Sequence, residues 1–281
     1  LAALGAVDFL MWVVTGISTG LTQGFSIQLS QYYGAKDFEN LRKSLAHSYR
    51  LTAFIAAGVL ILSQSFASLV LTGLHTPSNI IGMSLLYLRI IFCGIPATAA
   101  YNMFASALRA MGNSKTPLTA MIIASVLNVS LDILFVAGFG WGVAGAAIAT
   151  VIAQSFSAVY CFLILRRIDI VHLTRADFMP ASGMNARLMK LGIPVVFQNI
   201  IIGVGGLVVQ YVINGYGFLF VAGFTATNKL YGLLEMAAIS YGYAIVTYVG
   251  QNLGAGKIDR IRKGVRSSML LSLLTSLIIS A

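Results

Sequence analysis

Long uncharged stretches alternate with short basic clusters along this chain. No Asp, Glu, Lys or Arg occurs between Arg50 and Arg89, between Asp132 and Arg166, or between Lys190 and Lys229. A helix needs about 20 apolar residues to cross a hydrocarbon layer about 30 Å thick, so each interval holds one span or a helical hairpin. Barrel strands would instead alternate polar and apolar in segments of about 10 residues, and these stretches do not. The pattern predicts eight helical spans, at about 6–33, 45–73, 79–108, 117–137, 143–165, 187–214, 220–250 and 267 onward. Between them lie breaks with recognisable turn chemistry: the charged run Lys36–Lys43, the polar His75–Asn79, the turn Gly112–Pro117 whose proline can open a helix, and the glycine turn Gly138–Gly142. The one long polar stretch, Arg166–Ala186, reads as a linker between two halves.

Composition agrees. The 281 residues are 58% hydrophobic and 9% charged, against roughly 25% charged in soluble domains. That excludes a soluble enzyme, a nucleic-acid binder and a disordered chain. The net charge of +10 does not mark a nucleic-acid surface, because 16 of the 18 basic residues flank alternate breaks. The loops around His75, Trp141 and Tyr216 carry none. Basic loops stay in the cytoplasm, so the chain is expected to be a multi-pass protein of the cell membrane with those loops inside. Under this topology Leu1 starts on the outer side and Ala281 stops too soon after Arg266 to complete a span. The expectation is the middle of a longer protein.

Cys93 and Cys161 lie in apolar stretches and have no metal-binding spacing. His47, His75 and His172 are scattered over separate loop or helix-end positions and suggest no metal site. Gly140-Trp-Gly142-Val-Ala-Gly145 fits G-x-G-x-x-G, but it joins two membrane helices, where its small residues favour close packing rather than a nucleotide.

An ungapped internal repeat is present. Gln31, Gly34, Ala35, Arg42 and Lys43 recur as Gln251, Gly254, Ala255, Arg262 and Lys263, all at one offset. Each copy ends a span and begins a basic loop. Six spans separate them, an even number, so the repeats run parallel. Gly and Ala are expected to form a tight turn there, with the basic residues at the membrane boundary. Applied throughout, the repeat predicts an intact chain of roughly 440 residues or more.

Five ionisable residues fall within spans or near their edges: Asp8, Arg89, Asp132, Lys229 and Glu235. A charge at the bilayer centre costs several kcal/mol, which makes each a functional candidate. Asn128 lies one turn from Asp132 on the same helix face. Counting back from the turn near Trp141 brings Thr150 to the depth of Asp132, roughly 13 Å below the turn. Three oxygen-bearing side chains at one depth suit a hard cation or a proton; a neutral Asp132 hydrogen-bonded across the bundle is the structural alternative. Glu235 and Lys229 sit six residues apart, on different faces of one helix, where Glu235 could attract a cationic substrate or pair structurally. Tyr231 and Tyr241 on that helix could contact flat cations. Arg89 receives no role.

Several of these motifs resemble the multidrug and toxic compound extrusion (MATE) family. They are the repeated Gln-x-x-Gly-Ala, the turn Leu108–Pro117, the helix start Gly142–Thr150, and Leu191-Gly192-Ile193-Pro194. The resemblance implies twelve helices in two parallel-repeat lobes of six. This chain would hold the second to the ninth, with residues 1–175 in the amino-lobe and 176–281 opening the carboxy-lobe. It further implies an antiporter, with no cofactor, that exports cationic or amphipathic drugs in exchange for Na+ or H+. The family's cation site has an Asn and an Asp one turn apart on the fifth helix and a Thr on the sixth, which Asn128, Asp132 and Thr150 match. Some members carry a coupling Glu on the seventh helix. Here Val195–Gly203 offers only Gln198 and Asn199 as polar groups, with Gln198 a candidate for the substrate cavity. A monomer is expected. The alternatives are a lipid-linked saccharide flippase of the same superfamily, which would favour a cavity richer in Arg and Lys, and a helical membrane receptor, which would lack the repeat. A membrane enzyme would need a His, Cys or paired-carboxylate constellation, and the sequence shows none.

Overall fold

The computed structural model describes the backbone of residues 2–73, 78–214 and 218–280. Side chains at 2–10, 12–13, 70, 73, 78–80, 207, 210–211, 214, 218–222, 225–226, 229–230, 233–238 and 280 are outside the description. Among the described residues all regular structure is helical: α1 (Ala2–Gly34), α2 (Phe38–Gly73), α3 (Ser78–Cys93), α4 (Ile95–Ala110), α5 (Lys115–Asp132), α6 (Gly142–Arg166), α7 (Met184–Asn214), α8 (Phe218–Gly254) and α9 (Ile258–Ser280).

Four stretches among the described residues are long and apolar enough to cross a bilayer: Phe38–Leu69, Lys115–Gly138, Gly142–Arg166 and Met184–Gly206. The α3–α4 pair makes a fifth if counted as one span, bent by 43°. The bend falls at Gly94-Ile95-Pro96 because Pro96 has no N–H to donate to the preceding turn and its ring crowds that turn's carbonyl. The third predicted span is therefore one broken helix. The last differs at its start: the basic segment from Ile258 is already helical, extending α9 beyond its apolar run. Large side chains such as Phe54, Ile61, Leu118, Val126 and Ile201 are each at least 58% exposed. In a bilayer such faces meet lipid rather than water. The buried core is built from Phe25 and Leu29 of α1, Leu41 and Leu45 of α2, Met103 and Leu108 of α4, Leu165 of α6 and Leu188 of α7.

Among the described residues the most extensive helix contact is α1 on α7. Gly16, Gly20 and Gly24, spaced by four, form a stripe on one face of α1 that lets the backbones approach. A Cβ at Gly24 would overlap the Gly192 backbone, and one at Gly20 would lie 2.9 Å from that of Val196. Asn199 Nδ2 donates to Gly16 O at 3.0 Å.

The linker carries two short 3-10 turns, Asp169–Val171 and Arg175–Phe178, strapped onto α2. Asp177 closes a capping box with Thr174 and lies 3.7 Å from Arg42 Nε. His47 is 2% exposed, with Nδ1 2.7 Å from Asn185 Oδ1 and Nε2 3.1 Å from Met179 O. It is thus not at a loop or helix end, as its sequence position suggested, but a buried residue of α2 that fixes the linker and the start of α7.

Candidate functional site

The α5 helix does not run straight into its outer turn. Immediately after Asp132 it widens into a π-helical segment, Ile133–Gly138, in which Phe139 N–H donates to Leu134 O, five residues back. Such segments recur at functional sites. Phe135, Phe139 and Trp141 stack on one another around this turn, with ring centroids 5.0–6.0 Å apart. The small Gly145 allows the return: a Cβ there would lie 2.9 Å from Phe135 Cβ.

Asn128 and Thr150 meet across α5 and α6, with Asn128 Nδ2 3.5 Å from Thr150 Oγ1. Thr150 Oγ1 donates its own proton to Ala146 O at 2.9 Å, so its free lone pair points toward α5. The counting estimate set Thr150 level with Asp132. The contact is with Asn128, a turn further from the outer end. Asp132 is half-buried, and its Oδ1 is shielded from solvent with no hydrogen-bond partner among the described residues. A carboxylate oxygen without a donor, one helical turn from an amide that meets a hydroxyl, presents the oxygen chemistry that hard cations and protons take. Among the described residues no cluster of three or more His, Cys, Asp or Glu exists that could hold a transition metal.

The two repeat copies adopt the same turn and touch each other. Asp37 N–H donates to Tyr32 O and Lys36 N–H to Tyr33 O; Lys257 and Gly256 donate to Asn252 O and Leu253 O in the second copy. This is a helix-ending motif whose left-handed residue is Lys36 (φ 57°) in one copy and Gly256 (φ 68°) in the other. Gly34 and Gly254 are therefore not the turn residues the sequence suggested. Each remains helical and presents bare backbone to the other copy. A Cβ at Gly34 would overlap the Gln251 carbonyl, and one at Gly254 would overlap the Gln31 carbonyl. Ala35 and Ala255 donate their N–H groups to those carbonyls, those of Gln31 and Gln251 respectively.

More contacts join the halves of the chain at this basic end. Gln251 Nε2 donates to Ala110 O at 2.7 Å, and a Cβ at Gly250 would lie 2.6 Å from Ser30 Cβ. The Arg109 guanidinium stands over the Tyr243 ring, 5.0 Å from its centroid, and donates to Ser106 Oγ. The sequence placed Arg109 as a plain loop cation. Its role as a bridge to α8 had no sequence signal beyond a basic residue in the last turn of a helix.

The other candidates are less concentrated. Gln198 is exposed on α7, while its neighbour Asn199 bonds α1. Tyr231 is 58% exposed. The Tyr241 hydroxyl lies 2.8 Å from Thr275 Oγ1 and lines a cleft between α8 and α9 of about 790 Å³. The side chains of Lys229 and Glu235, and that of Asp8, lie outside the described residues. Arg89 is exposed on α3, and its carbonyl accepts from Gln64 Nε2.

A fold of apolar, membrane-length helices in which two parallel repeat motifs meet is an architecture that secondary transporters use. The chain belongs to the MATE family, whose model, MatE, matches residues 1–134 and 194–281. The probable multidrug resistance protein YpnP of Bacillus subtilis is 32% identical over 262 residues, covering 92% of this chain and 59% of that protein. The multidrug export protein MepA of Staphylococcus aureus is 23% identical over 248 residues, covering 87% of this chain and 54% of that protein. Among solved structures, a MATE family multidrug resistance transporter in an outward-facing conformation superposes with a TM-score of 0.90 at 20% identity, covering 99% of this chain and 62% of that one. The chain thus spans less than two thirds of the length of each.

Proposed function

We propose that the whole protein is a secondary antiporter that exports cationic or amphipathic compounds in exchange for Na+ or H+, taken up at Asp132, Asn128 and Thr150. The observation that carries this reading is the shielded Oδ1 of Asp132, which has no hydrogen-bond partner among the described residues and stands one helical turn from Asn128, whose amide meets the Thr150 hydroxyl. An ionised carboxylate in a membrane helix costs about 2.5–3.5 kcal/mol on insertion scales. A bound cation or proton removes that cost in whichever state encloses the site, so it shifts the population toward that state. Swinging a two-state equilibrium from 1:99 to 99:1 takes about 5.5 kcal/mol. Asp132 supplies roughly half, and the substrate's own preference for one state must supply the rest.

The basic end, cytoplasmic under the charge rule, is the closing surface in this reading. Gly34 against Gly254, Gln251 on Ala110 and Arg109 on Tyr243 all join opposite halves there. Their formation would shut the inner mouth and their loss would open it. The relatives named for multidrug resistance and export support drugs as the cargo. The test is efflux of a fluorescent organic cation from proteoliposomes of the full-length protein under an imposed Na+ or H+ gradient. Gradient-dependent efflux is expected; identical efflux with and without both gradients would overturn the antiport reading.

A further inference from the structure

We infer that the face of α9 turned away from α8 binds an anionic glycerophospholipid of the basic-side leaflet. Arg262, Lys263 and Arg266 hold its phosphate, and its acyl chain lies along Leu270, Leu274 and Leu277. This inference requires only that the chain sits in a bilayer and does not rest on the transport reading.

The two repeat copies carry different charge at the start of the helix that follows them. Residues 37–46 hold two basic and two acidic side chains, whereas the equivalent residues 257–266 hold five basic and one acidic. In the first copy the cations are answered: Lys43 Nζ lies 2.6 Å from Glu39 Oε1, and Arg42 Nε lies 3.7 Å from Asp177 of the linker. In the second, Arg262, Lys263 and Arg266 are exposed, and among the described residues none forms an ion pair. Asp259, at the position of Glu39, does not close the equivalent pair with Lys263. Arg266 stands where the first copy has Ala46, which is fully buried. A guanidinium does not fit in the place of a methyl group, so the covering over α2 has no equivalent that would fit over α9.

These cations head a stripe that suits one lipid. Lys263, Arg266, Leu270, Leu274 and Leu277 follow one another three or four residues apart, which aligns them along one side of a helix. Arg262, one turn before Arg266, flanks the stripe. The neighbouring helix α8 packs on the other side, where a Cβ at Gly264 would overlap the Tyr248 ring and where Val265 and Ser268 line the cleft. Leu270, Leu274 and Leu277 are 57%, 46% and 58% exposed. Their equivalents on α2 are Arg50, Phe54 and Ala57, which stay exposed although α3 to α6 are there to pack on them. The stripe is therefore on the outer side of its half and not at a place awaiting another helix.

Length and depth agree with this occupant. Arg266 is the last ionisable residue of α9, so it marks the headgroup level. From Arg266 to Leu277 the helix rises about 16 Å, and half of a hydrocarbon core about 30 Å thick is about 15 Å. Two guanidinium forks one turn apart, with an ammonium beside them, match the oxygens of one phosphate. A soluble anion would leave the leucine track uncovered, and a neutral lipid would leave the cations unanswered. Only an anionic lipid meets both.

The experiment places a reporter on the track. Full-length Leu274→Trp is reconstituted in phosphatidylcholine vesicles containing small amounts of phosphatidylglycerol, with bromine on the acyl chains of one lipid or the other. Quenching is read over the signal of Trp12 and Trp141 in the parent. Brominated phosphatidylglycerol should bind at least about fivefold more tightly than brominated phosphatidylcholine, the contribution of one basic residue near an anionic headgroup, and high salt should shrink the difference. Arg262→Gln/Lys263→Gln/Arg266→Gln in this background should bring the two lipids level. Arg262→Lys/Arg266→Lys should keep the preference, and so should Arg166→Gln/Arg167→Gln, which removes basic residues elsewhere on the same side. Equal quenching by both lipids in Leu274→Trp, or an unchanged preference in the triple variant, would overturn the site. Quenching by neither lipid would mean that protein covers the stripe and would overturn the choice of occupant. Should the triple variant fail to insert, Leu274→Trp alone decides.

Discussion

Replacing Gly34 or Gly254 by alanine should push the protein out of the state in which its basic end is closed. Each new methyl would overlap a main-chain carbonyl, Gln251 for Gly34 and Gln31 for Gly254. Neither obstacle is the flexible end of a side chain, so the helices must part. Overpacking of this kind costs about 1–3 kcal/mol, which displaces the closed-to-open ratio by about five- to 150-fold. The double substitution should cost less than the sum, because one displacement of α8 from α1 relieves both overlaps. The assay is alkylation of Ser30→Cys, which is fully buried under Gly250, in a background of Cys93→Ala and Cys161→Ala. A membrane-impermeant reagent on the basic side should label Gly34→Ala and Gly254→Ala at least about fivefold faster than the parent, with slower export. Unchanged labelling in both variants would make the contact static packing rather than a closing surface.

The same assay should detect Tyr243→Leu, which removes the ring beneath Arg109 and so about 0.5–2 kcal/mol of bridging; Tyr243→Phe, which keeps the ring, should label like the parent. Lys36 occupies the left-handed turn position that Gly256 fills in the other copy. Lys36→Gly should therefore stabilise the fold by about 0.5–1 kcal/mol, seen as a higher melting temperature in detergent. Asn128→Ala and Thr150→Ala should each raise the ion concentration needed for half-maximal export, by less than Asp132→Asn does, since each removes a neutral oxygen rather than a charge.

Much of the helical layout could be read in the sequence because charge is excluded from hydrocarbon, so uncharged intervals report spans directly. Helix ends were less legible: α9 starts at Ile258 because a helix, once nucleated, propagates through polar residues outside the apolar slab. The break before Pro96 had a signal, Gly94-Ile95-Pro96, hidden in a continuous apolar run. The repeat announced itself, but the use of its glycines did not. A glycine reads alike whether it frees a dihedral angle or admits a neighbouring backbone, and only the pairing of α1 with α8 distinguishes the two. Gly16, Gly20 and Gly24 recur at helical spacing, but that spacing does not name Gly192 and Val196 of α7 as the backbones they admit. At the candidate site, residue types and spacing grouped Asn128, Asp132 and Thr150, of which the structure shows Asn128 and Thr150 in contact. The π-helical segment between Asp132 and the outer turn follows from backbone hydrogen bonding that no residue type encodes.

The most direct test of the coupling role of Asp132 compares gradient-driven export with gradient-free substrate exchange in proteoliposomes of full-length Asp132→Asn. Asparagine keeps the shape and removes the charge, so under the proposed antiport the two states should persist while the cation loses its hold on their balance. Exchange should continue near the wild-type rate while an imposed Na+ or H+ gradient no longer accelerates export. Wild-type acceleration by the gradient, at matched protein levels, would contradict it and assign Asp132 a purely structural place.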